Sequence, residues 1–168
     1  MWLESEVGRG STFGLSLPAR RRELTELASE GGSGPTRGHI VVIEDDRPSL
    51  DLFSAYLSGA ELTVTAAPDG QSGLAAVRRT RPDAVLLDIR LPGIDGWAVL
   101  KALQSQRETR DIPVIVVSIV DERARGAALG AAAYLVKPVG REELLSALAA
   151  VGAPVPPREM SWGAEVKT

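Results

Sequence analysis

Residues 83–88 read Asp-Ala-Val-Leu-Leu-Asp, a short apolar run closed at each end by a carboxylate. A run this short between polar residues is the pattern of a strand buried on both faces, the kind found in parallel sheets. An earlier run, HIVVI at 39–43, ends the same way, in Glu44, Asp45 and Asp46. Two buried strands that finish in acids gather negative charge at one edge of a sheet. Two unit charges ~4 Å apart interact by about 4 kcal/mol at a surface-like dielectric. Such a rim is costly unless a divalent cation sits among its carboxylates.

Outward from these runs, short apolar stretches alternate with helical periods. Strands are expected at 40–44, 62–66, 84–87, 114–117 and 133–136. The first helix starts near Pro48, with Leu50, Phe53, Tyr56 and Leu57 on one face, because proline is tolerated in a helix's first turn. A second, about 70–80, follows Asp69-Gly70 and buries Leu74 and Val77. A third follows Asp95-Gly96 and presents Trp97, Leu100 and Leu103. A fourth, near 121–129, is alanine-rich, interrupted by Gly126 and expected to be loosely held. A fifth, 142–151, turns Leu144, Leu145, Leu148 and Val151 to the sheet. Strand and helix alternating in this way predict an α/β fold, a five-stranded parallel sheet wound on both faces. Functional groups in such sheets collect beyond the carboxyl ends of the strands. Glu44, Asp45, Asp88, Ser118 and Lys137 all fall there.

That set has a definite chemistry. An oxygen-liganded, six-coordinate Mg²⁺ relieves the repulsion among Glu44, Asp45 and Asp88, using one or two direct carboxylates plus waters. It also neutralises an incoming phosphoryl group and leaves Asp88 free to attack phosphorus. A phosphorylated aspartate carries three acceptor oxygens. The Lys137 ammonium suits one, the Ser118 hydroxyl a second, and the metal the third.

Composition narrows the alternatives. The chain has 168 residues, room for one ordinary domain with appendages, and 44% hydrophobic content suffices for an aliphatic core. A formal charge of -3 makes no electrostatic case for nucleic acid. With no cysteine, disulfides and thiolate metal sites are excluded. No signal peptide opens the chain, and no apolar run approaches the roughly 18 residues of a membrane span. A soluble, cytoplasmic protein is expected.

The motifs VVIEDD, PDG (68–70), PDAVLLDIRLPGIDGW, IPVIVVS, GAAAYLVKP and REELL stand in the order seen in the receiver domains of two-component response regulators. Residues 39–152 resemble that family throughout. The resemblance implies the flavodoxin-like receiver fold and makes Asp88 the phosphoacceptor. It implies Mg²⁺ held by Asp45 and Asp88 directly, by Glu44 through water and by the backbone carbonyl of Arg90. Ser118 and Lys137 become phosphate sensors, Tyr134 an aromatic switch, and the Lys137–Pro138 bond cis. The implied phosphodonor is a histidine kinase core or a histidine phosphotransfer protein. The face of the fourth helix, fifth strand and fifth helix would carry the signal, and a homodimer is a further partner. Such a module accepts phosphate and slowly dephosphorylates itself, without being an enzyme in the metabolic sense.

Residues 1–18 resemble something else. WLESEVGRGSTFGLSLP is similar to the last hairpin of a histidine-kinase ATP-binding domain, with Gly8, Gly10, Ser11, Thr12 and Phe13 matching its final glycine box. A kinase remnant, a linker at 19–38, the receiver at 39–152 and a flexible tail at 153–168 is the order of a hybrid sensor kinase. Met1 is then an internal or engineered start, and the kinase core is absent from this chain.

Blander readings compete at several residues. Asp46 is a helix-start charge, not a ligand. His39 lacks the helical setting of a phosphorelay histidine. Gly31, Gly32 and Gly34 are linker, since no lysine and helix follow them. The rival function is an interaction or dimerisation module that uses the fold without phosphorylation. An aspartate-nucleophile phosphatase would need an acid two residues after Asp88, where Arg90 stands. A DNA-binding output does not fit in 153–168. One departure from the family pattern stands out: Ile119, after Ser118, occupies a commonly small position and is expected to slow small phosphodonors and attacking water.

Overall fold

Alternation along the strands sorts the core into two layers. Ile40, Val42, Leu86, Ile115 and Val117 face one side of a sheet, and Val41, Ile43, Val85, Leu87, Val114 and Val116 the other. The computed structural model describes residues 2–6, 10–14 and 37–155. The chain divides into two units, Met1–Ser33 and Gly34–Thr168. In the first, β1 (Trp2–Glu6) pairs antiparallel with β2 (Gly10–Gly14), Trp2 opposite Gly14 and Glu6 opposite Gly10. Residues 15–36, most of the expected linker included, lie outside the described residues, as do 156–168.

The second unit is a parallel sheet of β3 (Gly38–Ile43), β4 (Leu62–Ala67), β5 (Ala84–Leu87), β6 (Val114–Ser118) and β7 (Ala133–Val136), ordered β4-β3-β5-β6-β7. Helices α1 (Arg47–Ser58) and α5 (Arg141–Ala150) cover one face through Leu50, Phe53, Leu57, Leu144 and Leu148. Helices α2 (Gly70–Thr80) and α3 (Gly96–Ser105) cover the other through Ala76, Val77, Trp97, Val99, Leu100 and Leu103. The short α4 (Arg123–Ala128) precedes β7. This is the expected doubly wound, flavodoxin-like sheet. The chain leaves β3 for β4 on one side and later for β5 on the other, so the winding reverses between β3 and β5. That reversal opens the crevice where such folds place their ligands.

The helix starts follow from their caps. Asp46, read as a helix-start charge, is the N-cap of α1, accepting from Ser49 N at 2.9 Å, and Asp69 caps α2 from Ser72 N at 2.8 Å. Leu74 is only half-buried, because Gly73 and Ala76 let α2 approach the sheet closely.

Three sequence expectations need correction at their edges. The body begins before residue 39: Gly38 pairs with Leu62, and Arg37 N donates to Glu61 O at 2.9 Å. It also runs past 152. Ala153 is buried, its N donates to Leu148 O at 3.0 Å, and Val155 packs on the α1/α5 layer, so the tail expected from 153 includes a packed segment. The fourth helix is shorter than 121–129 because Glu122 gives it no side-chain cap and the chain turns at Gly130, whose φ is +89°. Among the described residues, no helix is long and apolar enough to cross a membrane.

Candidate functional site

The two acid-ended strands lie side by side. Asp88 N donates to Ile43 O at 2.9 Å, and Glu44 N donates to Ala67 O at 3.0 Å, so hydrogen bonding continues one residue past each strand and fixes both side chains at the rim. Glu44, Asp45 and Asp88 each offer a carboxylate oxygen within 4.8 Å of the others. Asp88 is 7% exposed and Glu44 2%, whereas Asp45 faces solvent. Two buried carboxylates and one exposed one therefore share the rim.

Across the sheet, Lys137 leaves the end of β7, where its N donates to Ser118 O at 2.8 Å. Its ammonium reaches back to the acids, at 2.6 Å from Glu44 Oε2 and 2.7 Å from Asp88 Oδ2. The other Asp88 oxygen, Oδ1, accepts from Arg90 N at 2.9 Å. Both oxygens of the central aspartate are therefore held, which fixes its orientation. Ser118 is 1% exposed at the end of β6, and its hydroxyl accepts from Val120 N at 3.3 Å. The Lys137–Pro138 bond is cis.

Electrostatics follows from burial. The Glu44 carboxyl is pushed up to about 7, chiefly because burial penalises its charge. The Lys137 bond pulls it down, and the nearby Asp88 charge adds to the rise. For Lys137 burial acts to lower the ammonium's pKa, but its hydrogen bonds to Asp88 and Glu44 outweigh that and raise it. Lys137 therefore stays charged between the two acids.

The structure thus brings Glu44, Asp45, Asp88 and Lys137 together, with Ser118 and the backbone of Arg90 adjoining them. Tyr134 stands apart on β7. Its hydroxyl donates to Val120 O and accepts from Glu122 N at 3.3 Å, in the loop that follows Ser118. Ile119, at 54% exposed, sits on that loop beside the buried serine. Two neighbours escaped the sequence reading. Gly96 presses on the Asp88 backbone: a Cβ there would lie 2.5 Å from Asp88 O. Trp97, read only as core, stacks on Tyr134 with ring centroids 6.5 Å apart. The glycine of Asp95-Gly96 is a visible signal in the sequence, as a helix start; its closeness to the Asp88 backbone appears only in the fold.

An all-oxygen donor set, close together and open to solvent at Asp45, fits a hard cation such as Mg²⁺ and gives a soft metal nothing to prefer. The family described as response regulator receiver domain matches residues 40–149. The response regulator PleD of Caulobacter vibrioides is 36% identical over 103 residues, which cover 60% of this chain and 23% of PleD. Protein PilH of Pseudomonas aeruginosa is 36% identical over 115 residues, covering 67% of this chain and 95% of PilH. The chain therefore spans under a quarter of PleD's length but nearly all of PilH's. The crystal structure of the receiver domain of sensor histidine kinase PA1611, also from P. aeruginosa, is similar at a TM-score of 0.63 and 28% identity, covering 69% of this chain and 98% of that one. That structure has a magnesium ion coordinated in its active-site cleft.

Proposed function

We propose that this chain, which belongs to the response regulator receiver domain family, takes a phosphoryl group from a phosphohistidine onto Asp88. The family is one of phosphoacceptors that receive their phosphoryl groups from histidine kinases or phosphotransfer proteins. The observation that carries the assignment to Asp88 is its setting: a buried carboxylate, with one oxygen on the Lys137 ammonium and the other on Arg90 N, beside two further acids at the sheet's winding reversal.

One Asp88 oxygen attacks phosphorus, the bond from phosphorus to the donor's imidazole nitrogen breaks with its electron pair going to nitrogen, and the imidazole takes a proton from solvent as it leaves. Glu44, Asp45, Asp88 and the Arg90 carbonyl would hold Mg²⁺, which supplies charge neutralisation for the phosphoryl oxygens when bound. Lys137, 2.7 Å from Asp88 Oδ2, places its ammonium against one phosphoryl oxygen. The Ser118 hydroxyl donates to another. Tyr134 reports the change, and the face of α4, β7 and α5 carries it to a partner. Slow hydrolysis of the acyl phosphate resets the domain. The hairpin of β1 and β2 supports origin in a hybrid sensor kinase, because its glycine-rich sequence is similar to the end of a kinase ATP-binding domain.

Beryllofluoride titration in the presence of Mg²⁺ tests the reading. Wild type should bind and Asp88→Asn should not. Absence of binding to wild type would favour the phosphorylation-independent interaction module instead.

A further inference from the structure

Helix α4 has little of its own to hold it. It spans six residues, has no side-chain cap and carries Gly126 in its interior. A helix that short does not persist by propensity. What holds it is a set of rings. Gly126 is buried against Tyr134, where a Cβ would come within 2.8 Å of Cδ2. Tyr134 stacks on Trp97, the ring planes 24° apart. On Trp97 sits Arg125, its Cζ 4.6 Å from the ring centroid. Among the described residues that guanidinium also meets Glu122 Oε1, at a long and solvent-exposed 3.4 Å. Trp97 is 6% exposed although Arg125 is about half exposed. The arginine therefore acts as a cover over the indole, a geometry in which a planar guanidinium outperforms an ammonium.

The indole leads directly to the strand end. Trp97 follows Gly96, whose N donates to Ile89 O at 3.1 Å and where an added Cβ would lie 2.5 Å from Asp88 O. We propose that Arg125 is a positioning residue: seated on Trp97, it clasps α4 to the backbone that carries Asp88. The clasp stands on ring geometry alone, and its bearing on signalling rests on the phosphoacceptor reading above.

The test uses the full chain with Trp2→Phe and Trp162→Phe, which leaves Trp97 as the single indole. Without metal or phosphoryl mimic, Arg125→Ala should shift Trp97 emission to the red. Amide exchange at 123–128 should speed by roughly 2- to 30-fold, the range for losing one cation–π contact, while α2 exchange stays unchanged. Arg125→Lys should recover part of both effects, and Glu122→Gln should match the parent. Emission and exchange in Arg125→Ala equal to the parent, or a speed-up spread equally over α2 and α5, overturns the clasp. A second arm adds beryllofluoride with Mg²⁺. The parent should show altered exchange at 123–128, and Arg125→Ala should bind the mimic without that response. An equal response in both chains, or binding with no α4 response in the parent, overturns the coupling to Asp88. Failure of the parent to bind the mimic defeats the phosphoacceptor reading, and the first arm still decides the clasp.

Discussion

Replacing Glu44 with glutamine should flatten the pH dependence of stability between about pH 4.5 and 7. Glu44 is buried beside Asp88, and its carboxyl rises from 4.5 to about 7 in the fold. In that window the native state holds a proton that the unfolded chain has released, so stability falls as pH rises. Below about 4.5 the stabilisation is fully present, and above about 7 it is gone. At about 1.4 kcal/mol per tenfold change in proton affinity, a rise from 4.5 to about 7 gives roughly 3–4 kcal/mol as the upper bound. That rise is already net of the Lys137 bond, which favours the charged carboxylate. His39 works in the opposite direction. Burial lowers its pKa against the pull of Asp83, so its contribution is present above the ordinary value of 6.5 and is lost as pH falls below that value through the lowered one of the fold. Both chains share that term, and it cancels in their difference. The assay is urea unfolding in chelator-treated buffer from pH 4 to 8. With a slope near 1.5 kcal/mol per molar, the wild-type midpoint should drop by up to ~2 M relative to Glu44→Gln across the window. The glutamine oxygen still accepts from Lys137, so the ammonium keeps two partners. Parallel midpoint curves for the two chains would refute the assignment of the buried proton to Glu44.

Gly96→Ala should be damaging out of proportion to its size. The added Cβ meets Ile89 Cα at 2.4 Å and Asp88 O at 2.5 Å, both backbone atoms that cannot rotate away. A loss of about 1–3 kcal/mol in urea unfolding is expected, together with slower labelling of Asp88. Gly140→Ala, where an added Cβ would meet nothing within 4 Å and φ is -80°, should cost far less and serves as the control. Ile119→Ala should speed both labelling by acetyl phosphate and loss of the label, since the exposed isoleucine stands on the loop beside Ser118. Unchanged rates of gain and loss would remove its role as a steric barrier.

Local pattern carried most of the architecture. The runs at 84–87 and 133–136 appear as strands β5 and β7 with the bounds read from the sequence, because a short apolar stretch between turn signals has one way to be buried. The rim acids were legible for the same reason, since a carboxylate at the end of a buried strand has only the edge to occupy. Element edges were less so. Gly38 joins β3 because a partner strand offers Leu62, and Ala153 is buried because a layer far away in sequence needs covering. Neither neighbour is visible locally.

The strands, the capped starts of α1 and α2, and the gathering of Glu44, Asp45, Asp88, Ser118 and Lys137 at one edge were thus determined by the order of residues, through periodicity, cap chemistry and the direction of parallel strands. Tertiary structure alone decided that Lys137 spans Glu44 and Asp88, that Gly96 presses on the Asp88 backbone, and that Arg125 covers Trp97. Those contacts join residues far apart in the chain, or depend on close packing between helix and strand. Their distances exist only once the two apolar layers have closed on the sheet.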